Sequence, residues 1–259
     1  MFNIFDFGSN WEGFSKQHVD SRRLEIACES LQSLLEKKSL AGKSFLDVGC
    51  GSGLFSIAAY QLGTKKVVGI DVNPRCVEIS QTNRDLLAPG APIEFHVASV
   101  LEPDQLKRLG TFDLVYAWGS LHHTGAMWNA VGNVSRCVGP GGVLILAIYN
   151  KHLTSSMWNA IKWIYNQVPK LLQRFMILIF AGIIYLAKFL VTRTNPLKKD
   201  RGMDFWFDVI DWVGGYPYEY ATPVEIEQFV CDHGFSLRRY VGAQVPTGCN
   251  EFVFRKLSK

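Results

Sequence analysis

The period of polar and apolar positions changes along this chain, and the changes mark its elements. Short, nearly continuous apolar runs occupy residues 45–48, 66–71, 93–97, 112–118 and 143–148, as expected of strands buried on both faces. Around them the apolar spacing becomes helical, at Leu24, Ala27, Cys28, Leu31, Leu34 and Leu35 before the first run and at Phe55, Ile57, Ala58, Ala59 and Leu62 after it. Beyond residue 150 the alternation breaks. Trp158, Ile161, Trp163, Ile164, Tyr165 and Val168 lie on one helical stripe, Pro169 interrupts it, and residues 175–187 are apolar throughout. The chain then turns aromatic over 203–220 and closes with a helix and two strands. Thr222, Pro223 and Glu225 read as N-cap, first helical position and first-turn acid; Gly234 reads as the C-cap, and strands follow at 235–241 and 251–255. Residues 1–20 carry Phe2, Phe5, Phe7, Trp11 and Phe14 among glycines and polar residues, with no clean period. They read as an arm packed on the main domain, or as a flap whose loop at residues 7–11 holds Phe7, Asn10 and Trp11 over a small molecule.

Composition narrows this picture. The chain has 259 residues, 48% apolar, which is enough for one large α/β domain with an insertion. We divide it into an arm and helix (1–40), a core of alternating strands and helices (41–150), a hydrophobic helical insertion (151–220) and a completing helix and strand pair (221–259). Net charge is only +4, with no basic run, so nucleic acid is not an expected partner. The six cysteines form no C-x-x-C pair, which argues against a zinc site or disulfides and suits the cytoplasm. No metal ligand set is evident. No signal-peptide pattern opens the chain. The apolar run at 175–191 is short for a membrane span, and a lysine interrupts it. It reads as a lid over the site, with peripheral membrane contact as the second reading. The pattern leaves the oligomeric state open.

The chemistry starts at the end of the first strand. Asp47 is followed by Gly49, Cys50, Gly51, Ser52 and Gly53, a G-x-G-x-G turn into a helix. Glycines there allow a tight turn and close approach of a ligand to backbone N–H groups. The dinucleotide fingerprint requires its third glycine one residue later, where Leu54 stands. An ordinary tight β–α turn could use the same glycines. About twenty residues on, Asp71 ends the second strand, where a nucleoside-binding fold places a carboxylate against ribose hydroxyls. The motif resembles the first motif of class I S-adenosylmethionine-dependent methyltransferases. The resemblance covers 40–150 strongly and 222–256 in outline. It implies a Rossmann-like, seven-stranded doubly wound sheet with an antiparallel last strand and a helical insertion after strand five, and S-adenosylmethionine as cofactor. By the same resemblance, Asp47, Gly49, Cys50, Gly51 and Gly53 hold the methionine part. Asp71 and Val72 hold ribose, and Ser99 and Val100 hold adenine. Ser99 stands where the family often has a carboxylate.

Residues beyond the strand ends complete the candidate site. Trp118 and Gly119 follow the fourth strand and should line the cleft, since ligands bind beyond the carboxyl ends of such strands. His122 and His123 are general-base candidates, or else structural, and adjacent side chains point apart. Tyr149 and Asn150 end the fifth strand, and Tyr216 sits in an aromatic turn. The segments at 121–125, 148–150 and 211–217 look like a bacterial subgroup of small-molecule methyltransferase-like proteins. The leading expectation is methyl transfer to a small-molecule acceptor. A second is cyclisation of the donor to azetidine-2-carboxylate with release of methylthioadenosine. A third is a non-catalytic protein that binds S-adenosylmethionine or a membrane surface.

Overall fold

The computed structural model describes residues 5–197 and 205–258. Phe2 and Met203, which belong to the aromatic segments above, lie outside them. A seven-stranded sheet runs in the order β3-β2-β1-β4-β5-β7-β6. Its strands are β1 (Ser44–Val48), β2 (Lys66–Asp71), β3 (Ile93–Val97), β4 (Phe112–Trp118), β5 (Val138–Tyr149), β6 (Phe235–Val241) and β7 (Cys249–Lys256). The first five pair in parallel, while β7 is antiparallel to both β5 and β6. The chain order reverses between β1 and β4, which opens a crevice at their carboxyl ends.

Two apolar layers cover the sheet. On one face Leu46, Val48, Val115, Leu144 and Leu146 pack with α6 (Met127–Arg136) and α10 (Pro223–Asp232). On the other, Phe45, Ile57, Val67 and Ile145 pack with α2 (Ser21–Leu35), α3 (Leu54–Gln61) and α4 (Pro74–Leu87). The Thr222–Glu225 pair forms a reciprocal capping box at α10. α5 (Pro103–Leu109) joins β3 to β4. The strand β5 begins five residues earlier than the apolar run alone predicts. It continues through Gly141, at φ +66°, where the pairing register with β4 slips.

The arm differs from expectation. Residues 7–11 are not a loop but the start of α1 (Phe7–His18), capped by the Asp6 carboxylate, which accepts from Ser9 N. Two glycines disguised this helix, and both are packing points. A side chain at Gly8 would collide with Asn73, and one at Gly13 would collide with Phe207. The insertion is three helices, α7 (Ser155–Gln167), α8 (Lys170–Thr192) and α9 (Phe205–Gly214), with a small core of Tyr165, Ala181, Ile184, Phe205, Val209 and Val213.

Candidate active site

The glycine loop leaves β1 with Gly49, Gly51 and Gly53 at φ of +70°, +56° and +72°. All three places also lack room for a side chain, Gly53 against Ser80. A Cβ on Gly49 would strike the Ser120 side chain, and one on Gly51 would lie 2.7 Å from the indole of Trp11. Gly49 and Cys50 N–H groups donate to Ile70 O, at 2.8 and 3.0 Å, and tie the loop to β2. Cys50 is buried with its thiol 3.5 Å from Ser80 Oγ, so it supports the loop from behind.

Two acids stand at this loop. The Asp71 carboxylate accepts from Gly51 N at 3.1 Å and Asn73 N at 2.9 Å. The Val72 backbone and the Cys76 thiol also approach it, so the carboxylate is held in place at the strand end where a ribose diol would meet it. Asp47 is buried and accepts from Ser56 Oγ at 2.7 Å. Burial, reinforced by the Asp71 charge, pushes its carboxyl up to about 7. Paired acids at raised pKa are a site that a cation relieves. Along the carboxyl edge of the sheet, Val72, Val97 and Trp118 are unusually exposed for apolar residues, which suits the face of a purine. Gly119 turns away there at φ +78°. The residues present therefore fit S-adenosylmethionine: cationic sulfonium and ammonium, ribose diol and adenine each meet the matching chemistry. The Ser99 hydroxyl accepts from Leu101 N and its backbone N–H donates to Gln105, while Val100 O accepts from Asn133. The Ser99 N–H is thus already committed within its own turn.

The Asp47 shift has a testable sign. Its folded-state pKa lies above the unfolded value, so the native protein loses stability as pH rises from about 4 to about 7 and carries the full penalty above that. Without ligand, the Asp47→Asn variant should melt higher than wild type at pH 8, by on the order of 1–2 kcal/mol after relaxation of the site. The gain should vanish toward pH 4 in a calorimetric scan, and affinity for S-adenosylmethionine should fall in the same variant.

Beyond β4 and β5 aromatic rings close together around the buried Lys162, and this packed enclosure is the chamber. Tyr149 stacks on His122 with ring centroids 4.0 Å apart, His122 meets His123 at 4.5 Å, and Phe7 of α1 covers His123 at 4.8 Å. Trp212 and Tyr218 pack on Tyr149 at 5.3 and 5.0 Å. Lys162 of α7 enters this cluster fully buried. Its Nζ sits 4.8 Å over Trp212, 4.8 Å over Tyr218 and 5.7 Å over Tyr149, and donates to Trp212 O. Asp211 stands in the same chamber, held by Asn10 Nδ2 at 3.4 Å. Burial holds the Lys162 ammonium down to about 7 and pushes the Asp211 carboxyl up to about 7, each partly offset by the other's charge. The return segment seals the chamber, because Glu219 N donates to His122 O and Ala221 N to Tyr149 O.

Both histidines are enclosed in this arrangement. His122 is buried against rings, and its nitrogens meet no hydrogen-bond partner among the described residues. Burial keeps it neutral. His123 Nδ1 bonds Pro217 O at 2.7 Å, and burial lowers its pKa to about 3. Asn150 is committed to the fold as well, donating to Pro246 O and accepting from Asn250 Nδ2. Tyr216 lies at the chamber's edge, where its carbonyl accepts from Phe5 N. Lys162 was missed because it sits among aromatics on what reads as an ordinary amphipathic helix. Its one sequence signal is a lysine on the apolar stripe one residue after Ile161.

A glycine loop, a ribose-competent acid at the next strand end and a sheet whose last strand alone is reversed together define the class I S-adenosylmethionine-dependent methyltransferases. The chain belongs to that group through its methyltransferase-domain family, whose model matches residues 19–178. S-adenosylmethionine is the family's cofactor. In structure the chain is similar to magnesium protoporphyrin IX methyltransferase from Synechocystis PCC 6803 with bound S-adenosylhomocysteine. There the TM-score is 0.55 at 16% identity, covering 91% of this chain and 84% of that one. It is also similar to an N-methyltransferase from Bradyrhizobium japonicum WM9, with TM-score 0.52 at 15% identity, covering 92% and 98%. Likenesses at such identity speak to the fold. In sequence, the ribosomal protein L11 methyltransferase of Photobacterium profundum is 45% identical over 51 residues, which is 20% of this chain and 17% of that protein. The one from Escherichia coli is 34% identical over 73 residues, 28% and 25%. The chain thus spans a quarter or less of the length of these curated relatives.

Proposed function

We propose that this protein methylates a small-molecule acceptor held in the aromatic chamber, with Lys162 taking the acceptor's proton. The observation that carries this reading is the fully buried Lys162 amine, 4.8 Å over both the Trp212 and Tyr218 rings beyond the ends of β4 and β5, where burial holds its pKa down to about 7. When bound, S-adenosylmethionine supplies a methyl carbon on a sulfonium, an electrophile whose leaving group is a neutral thioether. Asp71 and Val72 hold its ribose, Asp47 and the glycine loop its charged end, and Ser99, Val100, Val97 and Trp118 its purine. The chain's own task is to align the acceptor, exclude water and accept one proton. Tyr149, Trp212 and Tyr218 supply the walls, and aromatic faces also favour nearby positive charge. Lys162 Nζ, neutral above about pH 7, accepts the proton, and Asp211 steadies the ammonium that forms.

The enclosure also supports donor cyclisation, because α1 covers the donor loop through Trp11 and the Lys162–Asp211 pair through Asn10. One incubation separates the two. Purified protein with S-adenosylmethionine alone, followed by mass spectrometry, should leave the donor intact. S-adenosylhomocysteine should appear only when a metabolite extract is added. Methylthioadenosine and a cyclised amino acid formed without any acceptor would replace methyl transfer by cyclisation.

A further inference from the structure

We propose that α8 is an in-plane membrane anchor that docks this protein on an anionic lipid surface. The helix is 23 residues long, about 35 Å. It is long and apolar enough to cross a bilayer, yet only 11% of its most apolar stretch is buried. One flank is occupied. Ala181 and Ile184 are buried against α9, with Met176, Ile177, Phe180 and Tyr185 beside them, and Lys188 pairs with Asp208 at 2.7 Å. On a water-facing helix the other flank would be polar. Here Phe175, Leu178, Ile179, Ile183, Leu186 and Phe189 stand 40–61% exposed. Trp206 of α9, also exposed, lines a groove with Ile177 and Leu178 and extends the same apolar surface.

Three features select the occupant. First, α8 is fastened to the domain along its length, from Gln173, which donates to Tyr165 O, to the Lys188–Asp208 pair. A helix so fastened cannot cross a bilayer without drawing an ion pair and α9 in with it, at high cost. It can lie in the interface. Second, residues 170–193 contain no acid, while Lys170 and Arg174 are exposed at one end and Arg193 at the other. Cations flanking an apolar face match an anionic headgroup layer and give no advantage to contact with a second copy of the chain, whose matching ends carry the same charge. Third, a groove of about 470 Å³ is lined by Ile177, Leu178, Trp206 and Ile210 together with Lys170 and Arg174, so apolar and cationic groups meet there as acyl chain and anionic headgroup do in a lipid.

The test is flotation of the full chain with phosphatidylcholine vesicles, plain or containing about 30% phosphatidylglycerol. Binding should favour the anionic vesicles and weaken with salt. The Lys170→Ala, Arg174→Ala variant should lose about fivefold in affinity for each charge removed. The Leu178→Asp, Ile183→Asp variant should lose flotation altogether. S-adenosylmethionine affinity unchanged in both variants shows that the domain remains folded, and this readout is independent of the acceptor proposed above. Absence of flotation by the wild-type chain overturns the proposal. So does a dimer in solution that the double aspartate variant splits, which assigns the face to a second copy, and so does resistance to alkaline extraction, which makes α8 a span.

Discussion

Asp71→Ala should weaken S-adenosylmethionine binding by about 10²–10⁴-fold. The carboxylate sits at the end of β2 and already orders its surroundings through Gly51 N and Asn73 N. A ribose diol adds two charge-assisted hydrogen bonds, each worth about 1.5–3 kcal/mol. Losing both, in a loop no longer held, gives that range. Titration calorimetry reads it directly. Asp71→Asn separates the two roles, since an amide keeps one acceptor for the loop but loses the charge, and its loss should be intermediate. An alanine variant that binds normally would remove ribose from Asp71.

Lys162→Met should lower turnover by about 10²–10⁴-fold while leaving S-adenosylmethionine affinity within a few-fold. Methionine fills the same space among Tyr149, Trp212 and Tyr218, so the chamber's walls persist. What disappears is the group that accepts the proton. The wild-type rate should rise with pH through about 7, because burial lowers the Lys162 pKa to that value and the neutral amine is the active form. The limb belongs to the Lys162–Asp211 pair jointly. Asp211 raises the Lys162 pKa, so Asp211→Asn should move the limb to lower pH. A structural lysine would change stability without that displacement. A limb fixed in place in the Asp211 variant, or wild-type turnover in the methionine variant, would return the proton to another group.

The cofactor half of this molecule is legible in the sequence because it is local. Gly49 to Gly53 and Asp71 lie next to the strands that carry them, and the pattern of buried strands determines where those strands end. The aromatic cluster proposed to hold the acceptor is assembled from distant pieces: Phe7 and Asn10 from α1, Lys162 from α7, Asp211 and Trp212 from α9, Tyr218 from the return segment. No period connects residue 10 to residue 211. The doubled glycine at 214–215 illustrates the difficulty. It reads as a turn, yet Gly214 ends α9 beneath the Phe5 ring, and a side chain at Gly215 would strike the Asp211 carbonyl and the His123 ring. The adjacent histidines show the converse, a legible position in surroundings that no period predicts. Their position is right for catalysis, but their surroundings are rings, and burial decides their protonation.

The helix α1 touches both halves. Trp11 lies on the glycine loop, Gly8 on Asn73, Phe7 on His123 and Asn10 against Asp211. With α1 on both, the proposed reading expects donor and acceptor to load in a coupled, ordered sequence. If movement of α1 sets the steady-state rate, the first turnover should show a burst of product that Trp11→Ala abolishes.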